Sequence, residues 1–311
     1  MKVLWLSHLV PYPPKGGVLI RSFNLIKELG GRAEVDLLMF NQRALMGSYF
    51  NTQEEGEAEA KKALSSFICK QWILPIENDG CWAKRWLIAR SFFSLRPYTI
   101  AWLDSPAARK TISEIMAHNE YDIIHFDTIS LDVFRDENSD VKIMLDHHNI
   151  ESHMMGRRAK KEKNLLKKLY FWWEFVKLQR YEKAVLGLYC GHIVCSKDDK
   201  QRLLELDGQC SVEVIPNGIA FDGRVVEPAP QKGKLLFIGG LSWYPNADAI
   251  NDFVTNIAPE LRKVNVDFEL DVVGKNGPKD LQAKVEGLSD IRLHGYVDNI
   301  SGFYRDANVY K

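Results

Sequence analysis

The sequence predicts an α/β chain of two Rossmann-like domains in series, and three observations predict it. A short apolar run, a break rich in proline and glycine, and an amphipathic helix occur at the start of the chain and again after residue 234. Each time a second apolar run follows, which gives the strand, loop, helix, strand unit of a parallel sheet. The runs DIIHF, VKIML and HIVCS are apolar throughout rather than alternating, as strands covered on both faces should be.

Taken in order, KVLWLS is the first strand and YPPKGG the break. Leu19, Phe23 and Ile26 fall at helical spacing, and Gly30-Gly31 stops the helix. EVDLLMF is the next strand. The first domain runs through residues 1–215. Residues 216–233, with three prolines and no periodicity, read as the interdomain linker. Residues 234–311 open the second domain, with strands near 235–238, 268–273 and 291–294 and another starting near Asn308. Ile250, Phe253, Val254, Ile257 and Leu261 give its first helix an apolar face.

Composition excludes several classes. Lys+Arg and Asp+Glu balance at 41 each, so no global charge draws the chain to nucleic acid or to an anionic surface. Five cysteines without a C-x-x-C pair suit reduced thiols, mostly buried, in a cytoplasmic protein rather than a disulfide framework or a zinc site. No apolar run is long enough to span a bilayer. One segment is locally unbalanced: Met155 to Lys183 carries ten Lys or Arg against three Glu. Leu165, Leu169, Trp172, Trp173 and Val176 run beside that charge. The reading adopted is a stripe packed on the first domain with a solvated basic face. Its alternative is a peripheral contact with the inner face of the membrane through 155–186.

Three turns could carry chemistry. Gly16 and Gly17 lie past the first strand, where open α/β sheets bind ligands and a helix N-terminus favours an anion; a tight turn would use the same residues. LDHHNIES follows strand VKIML and places His147, His148, Asn149 and Glu151 at its carboxyl end, with His125 at the equivalent end of the preceding strand. A histidine there suits a hydroxyl substrate, and Glu151 suits orienting it or accepting a sugar hydroxyl. The bland alternative is a polar turn in which Asn149 caps the next helix. No compact set with zinc spacing accompanies these residues, so no metal is expected. Gly239 and Gly240, backed by Lys275 after the neighbouring strand, form a second phosphate candidate. No Ser-His-Asp elbow, Walker loop or H-E-x-x-H occurs.

The order YPPKGG, LDHHNIES, RYEKAV, VIPNGIAFD, LLFIGGLSWYPNADAI, LDVVGKNGP, RLHGYVDNI resembles the retaining nucleotide-sugar glycosyltransferases of family 4. The W-Y-P-N-A-D-A variant is similar to that of enzymes of polysaccharide biosynthesis. The resemblance covers nearly the whole chain and implies the GT-B fold: two Rossmann-like domains facing a cleft, acceptor on the first, nucleotide-sugar on the second, with no metal and no cofactor besides the donor. The acceptor would be a glycan or a lipid-linked sugar. By the same resemblance His148 is the catalytic-turn histidine, an acceptor-orienting residue, with His125, His147, Asn149 and Glu151 beside it. Gly16 and Gly17 reach the donor phosphates and acceptor. Pro216, Asn217 and Gly218 match the junction. Gly239, Gly240 and Asn246 match the diphosphate turn, and Tyr296 and Val297 the loop whose backbone touches the base. The arginine and lysine many members carry after the second Gly-Gly are missing here. The chain also ends before the family's glutamate-rich donor motif, so the expectation is a C-terminally truncated second domain with weak or no transfer. Two rivals remain: a sugar-nucleotide epimerase on the same fold, and a non-catalytic half that pairs with a donor-binding subunit.

Overall fold

The computed structural model describes residues 1–218, 227–275, 277–297 and 299–310. Residues 219–226 of the expected linker, Asn276, Asp298 and the terminal Lys311 lie outside them. The chain divides into two compact units, Met1–Ala220 and Phe221–Lys311.

The first unit is built on a seven-stranded sheet in the order β3-β2-β1-β4-β5-β6-β7, every pair parallel. Its strands are β1 (Lys2–Ser7), β2 (Glu34–Asn41), β3 (Lys70–Pro75), β4 (Ile123–Phe126), β5 (Lys142–His147), β6 (Gly191–Val194) and β7 (Val212–Val214). Alternate residues of one strand feed different cores. Leu4 and Leu6 pack with Leu38, Phe40 and Phe126 on one side, while Trp5 packs with Val35, Leu37 and Met39 on the other. Both faces are covered, which is why these strands read as unbroken apolar runs. The edge strands were not legible: β3 is only half-buried, and β7 is three residues long.

Helix α1 (Gly17–Gly30) follows β1 and buries Leu19 and Ile26 as its spacing predicts, with Phe23 partly buried against the same core. Helix α2 (Cys81–Phe92) precedes the pair α3 (Glu151–Lys161) and α4 (Leu165–Val185), the long basic segment broken once at 162–164. The reading of its apolar stripe is corrected by the structure. Leu165, Leu169 and Trp172 are exposed, and α4 instead buries Phe171, Glu174, Lys177, Leu178, Glu182 and Val185. Polar contacts decide that face. Glu174 accepts from Ser91 Oγ (3.1 Å) and Tyr98 N (2.9 Å), and pairs with Lys177, whose Nζ donates to the Ser91 carbonyl at 2.6 Å. Trp173 Nε1 donates to the Phe92 carbonyl at 3.0 Å.

The second unit carries a parallel sheet in the order β10-β9-β8-β11, from β8 (Lys234–Ile238), β9 (Glu269–Val273), β10 (Ile291–Gly295) and β11 (Val309–Tyr310). Its core gathers Leu241, Ile250, Phe268, Leu270, Val272 and Ile291. After α5 (Tyr244–Asp252) the helix passes through a π turn over Phe253–Ile257. The extra residue shifts the phase, so Ile257 is exposed and Ala258 takes the buried position predicted for it. The cysteine expectation is half corrected: all five are free thiols, but three are exposed and two half-buried.

Candidate functional site

Three neighbouring strands of the first sheet each deliver a residue at their carboxyl ends. His8 follows β1, Asp127 follows β4, and His148 follows β5. The order 3-2-1-4-5 reverses between β1 and β4, so His8 and Asp127 straddle the topological switch point where such sheets bind ligands. Pairing of Leu6 with Phe126 sets the two strand ends level.

Asp127 is fully buried and takes three hydrogen bonds: from Ser7 Oγ (2.6 Å), the His8 amide (3.0 Å) and His8 Nδ1 (2.8 Å). Burial works to raise its carboxyl, but the His8 charge and these bonds outweigh that and bring it to about 2. Being ionised, it accepts only, so His8 Nδ1 carries the proton and Nε2 is left as the acceptor nitrogen of the neutral ring. Burial lowers the His8 imidazole, yet the Asp127 charge and hydrogen bond prevail and leave it raised above its ordinary value. A histidine oriented by a buried carboxylate is a competent proton acceptor. Sequence reasoning passed over His8. The signal was available, since it is the first residue past β1.

His148 lies 5.6 Å from His8, ring centre to ring centre. Burial, chiefly, takes its pKa down to about 4, so it is neutral at physiological pH. Its Nε2 is buried with no hydrogen-bond partner among the described residues, an unsatisfied polar atom at the strand end. The ligand atoms of His8, Asp127 and His148 all lie within 4.8 Å of one another, a spacing at which a cation could sit. Asp127 already holds the His8 amide and Nδ1 at Oδ1 and the Ser7 hydroxyl at Oδ2, however, so its carboxylate is committed first to these bonds. The donor set fits the dyad better than it fits a metal.

The other predicted residues divide. Gly16 caps α1 with φ 113°, and a Cβ there would meet only the Tyr49 hydroxyl at 4.0 Å; beside Gly17 there is nothing within 4 Å. The start of α1 thus has open space beside its two glycines. Glu151 opens α3, and burial with the nearby Glu182 charge pushes it up to about 7. Asn149 does not cap that helix: the cap position is Ile150, without a side-chain bond. His125 is buried and stacked on Trp5 at 3.6 Å, its pKa driven down by burial to about 3. It is a neutral neighbour below the site. His147 is drawn away from the group: it is buried and bonded to His192 Nδ1 at 3.2 Å.

Arg21, unannounced by any motif, braces this end of the unit from α1. Buried, it grips Asp146 through Nε (3.2 Å) and Nη2 (2.9 Å), and its Nη1 donates to the Ile215 carbonyl (2.6 Å) and Asn217 Oδ1 (3.2 Å). The VIPN segment is therefore tied to the helix behind the glycine turn.

In the second unit the predicted donor residues again lie past adjacent strands: Gly239 and Gly240 after β8, Lys275 after β9, Tyr296 and Val297 after β10. The first two turns meet backbone to backbone. A Cβ on Gly274 would stand 2.3 Å from the Gly239 carbonyl oxygen and 2.9 Å from the Gly240 nitrogen. Asn246 donates to the Gly240 carbonyl at 3.1 Å, so its amide shapes the Gly-Gly turn. Lys275 and Tyr296 are exposed.

Residues 232–310 match the family model described as "Glycosyl transferases group 1". No curated protein matches the chain. Among solved structures the chain is similar to an S. aureus TarM variant in complex with fondaparinux, α-GlcNAc-glycerol and UDP, at TM-score 0.54 and 11% identity, covering 99% of this chain and 80% of that one. An Arabidopsis thaliana UGT complexed with UDP aligns at TM-score 0.50 and 14% identity over 99% and 74%. A Listeria monocytogenes protein assigned as a UDP-N-acetylglucosamine 2-epimerase aligns at 0.50 and 13% over 99% and 73%. The chain has the α/β, Rossmann-like GT-B fold. At these identities the likeness is one of fold.

Proposed function

We propose that this chain is a glycosyltransferase that moves a sugar from a nucleotide-sugar to a hydroxyl of a glycan or lipid-linked acceptor, in cytoplasmic polysaccharide biosynthesis. The observation that carries the reading is the His8–Asp127 dyad at the switch point, beside the open N-terminus of α1 and the unpartnered Nε2 of His148. Acceptor chemistry belongs to the first unit, where His8 Nε2 and His148 Nε2 hold the attacking hydroxyl. Donor binding belongs to the second, where the Gly239-Gly240 turn admits a diphosphate and Lys275 supplies a point charge. No step in this reading uses a metal ion.

The motif order supports retention at the anomeric carbon, with the acceptor proton passing to the departing phosphate oxygen. The dyad favours a second course: His8 Nε2 takes the hydroxyl proton, the oxygen forms its bond to the anomeric carbon, and the bond from that carbon to the diphosphate oxygen breaks on the opposite face, releasing the nucleoside diphosphate with inversion. The anomeric coupling constant of the product by proton NMR separates the two courses. Transfer from a panel of UDP- and other nucleotide-sugars to glycan acceptors, with and without EDTA, tests the reading as a whole. Release of an isomerised sugar nucleotide without any acceptor would replace it with epimerisation.

A further inference from the structure

Glu182, in the RYEKAV segment, is fully buried in the last turn of α4. A carboxylate there opposes the dipole of its own helix, whose C-terminal end favours cations. It serves a different helix. Its Oε1 accepts the Ser152 amide at 3.1 Å, and the Glu151 amide and the Ser152 hydroxyl bond to the same carboxyl. These are the first amides of α3, which has no side-chain cap of its own because the cap position is Ile150. Ser152 is buried too, which leaves its amide little access to solvent. Contacts further along hold the two helices in the same register. A Cβ on Gly156 would stand 3.1 Å from the Phe175 ring, and Arg158 lies over the Phe171 ring at 4.1 Å. Together with the Ser152–Glu182 bond, these contacts run antiparallel along α3 and α4.

The turn held in this way is the one that carries the site. His148 precedes Glu151 by three residues, and between them Ile150 is packed with Leu186, Val194 and Leu203. Glu151 is half-buried, and its charge reaches His8: against the lowering effect of burial, it joins Asp127 in holding the His8 imidazole up. The titratable groups acting on His8 are thus Asp127 after β4, His148 after β5 and Glu151 at the start of α3. A carboxyl so placed can bind a second hydroxyl of a ligand whose reacting hydroxyl lies at His8. We infer that Glu182 is a positioning residue, which caps α3 from the neighbouring helix, holds Glu151 beside His8 and so orients the sugar ring of the acceptor. The acceptor's part in this rests on the sugar-transfer reading; the hold of Glu182 on Glu151 does not.

Two substitutions of the full chain separate the bond from the bulk. Glu182→Met fills the space and removes the acceptor atom, whereas Glu182→Gln keeps an oxygen for the Ser152 amide. In NMR titrations of labelled histidine, Glu182→Met should lower the pH at which His8 titrates, because Glu151 is released. Glu182→Gln should leave His8 at or above its wild-type value. In a Glu151→Gln background, Glu182→Met should move His8 no further, as expected of a residue that acts through Glu151. In transfer assays Glu182→Met should raise the acceptor KM by about tenfold, the worth of one hydrogen bond to a charged group, with a smaller change in kcat and recovery in Glu182→Gln. Hydrogen exchange needs no variant: the Glu151 and Ser152 amides of the wild type should be protected. Unprotected amides, a His8 titration unmoved by Glu182→Met, no recovery in Glu182→Gln, or effects of the Glu151 and Glu182 substitutions that add in full would each overturn the inference. The expected NMR results without transfer from any donor would support the hold on Glu151 and retire the sugar-transfer reading alone.

Discussion

Replacing Asp127 with asparagine removes a charge and leaves the shape intact. The amide oxygen can still accept from the His8 amide and Nδ1, and Ser7 Oγ can turn to accept from the new NH2. What is lost is the preference of the native state for the ionised carboxyl, whose pKa falls from 3.8 unfolded to about 2 folded. At roughly 1.4 kcal/mol per unit, that difference amounts to about 2 kcal/mol. The sign follows from the depressed value: the contribution is fully present above pH 3.8 and fades as pH falls through about 2. Chemical denaturation should therefore find Asp127→Asn about 2 kcal/mol less stable than the wild type at pH 7, with the gap closing toward pH 2. His8, which Asp127 raises, should titrate at lower pH in the variant, read by NMR of labelled histidine. Equal stability of the two proteins at pH 7, or a gap that persists unchanged at pH 2, would refute the ionised-dyad reasoning.

Glu182 is a carboxyl pushed up to about 7, chiefly by burial, with one oxygen unpartnered; its charged form is penalised increasingly from pH 4.5 to about 7. Glu182→Gln should thus stabilise the protein by about 1–3 kcal/mol at pH 8 and leave it unchanged near pH 4, in denaturant titrations at both values. Glu174→Ala strands the Lys177 ammonium in the interior and should cost about 3–5 kcal/mol, whereas replacing both partners with apolar residues should recover most of that loss. Gly274→Ala drives a Cβ into the backbone of the Gly239-Gly240 turn. It should cost about 1–3 kcal/mol and, on the proposed function, weaken nucleotide-sugar binding by calorimetry, while Gly240→Ala, whose Cβ has 3.7 Å to Ser242 Oγ, should fold normally.

The parallel strands and the first helix were legible because burial on both sheet faces, and on one helix face, leaves a periodic apolar record. Helix α4 defeats the same reasoning. It buries a glutamate, a lysine and a second glutamate that satisfy one another or nearby backbone, and periodicity counts such residues as solvent-facing. The π turn at Phe253–Ile257 misplaces Ile257 for a related reason, since a fixed helical period cannot anticipate an inserted residue. The rule that ligands meet the carboxyl ends of parallel strands pointed to candidate residues in each unit, His148 and Gly16 in the first and Gly239 in the second, but not to the partnership of His8 with Asp127. That pairing depends on β4 lying beside β1, an order along the sheet that local sequence does not encode. His147 and His148 are adjacent in the chain, yet only the fold shows that the first turns to His192 and the second to His8.

The placing of β4 beside β1 has a consequence for synthesis. Strand β1 gains its β2 neighbour within the first 41 residues, but its other edge finds β4 only at residue 123. At ribosomal rates this leaves one side of the first strand unpaired for on the order of ten seconds. An open apolar edge of that duration is where a nascent chain is most exposed to the wrong partner. His8 waits at the tip of that strand, and its readiness to receive a proton begins only when Asp127, 119 residues behind it, arrives.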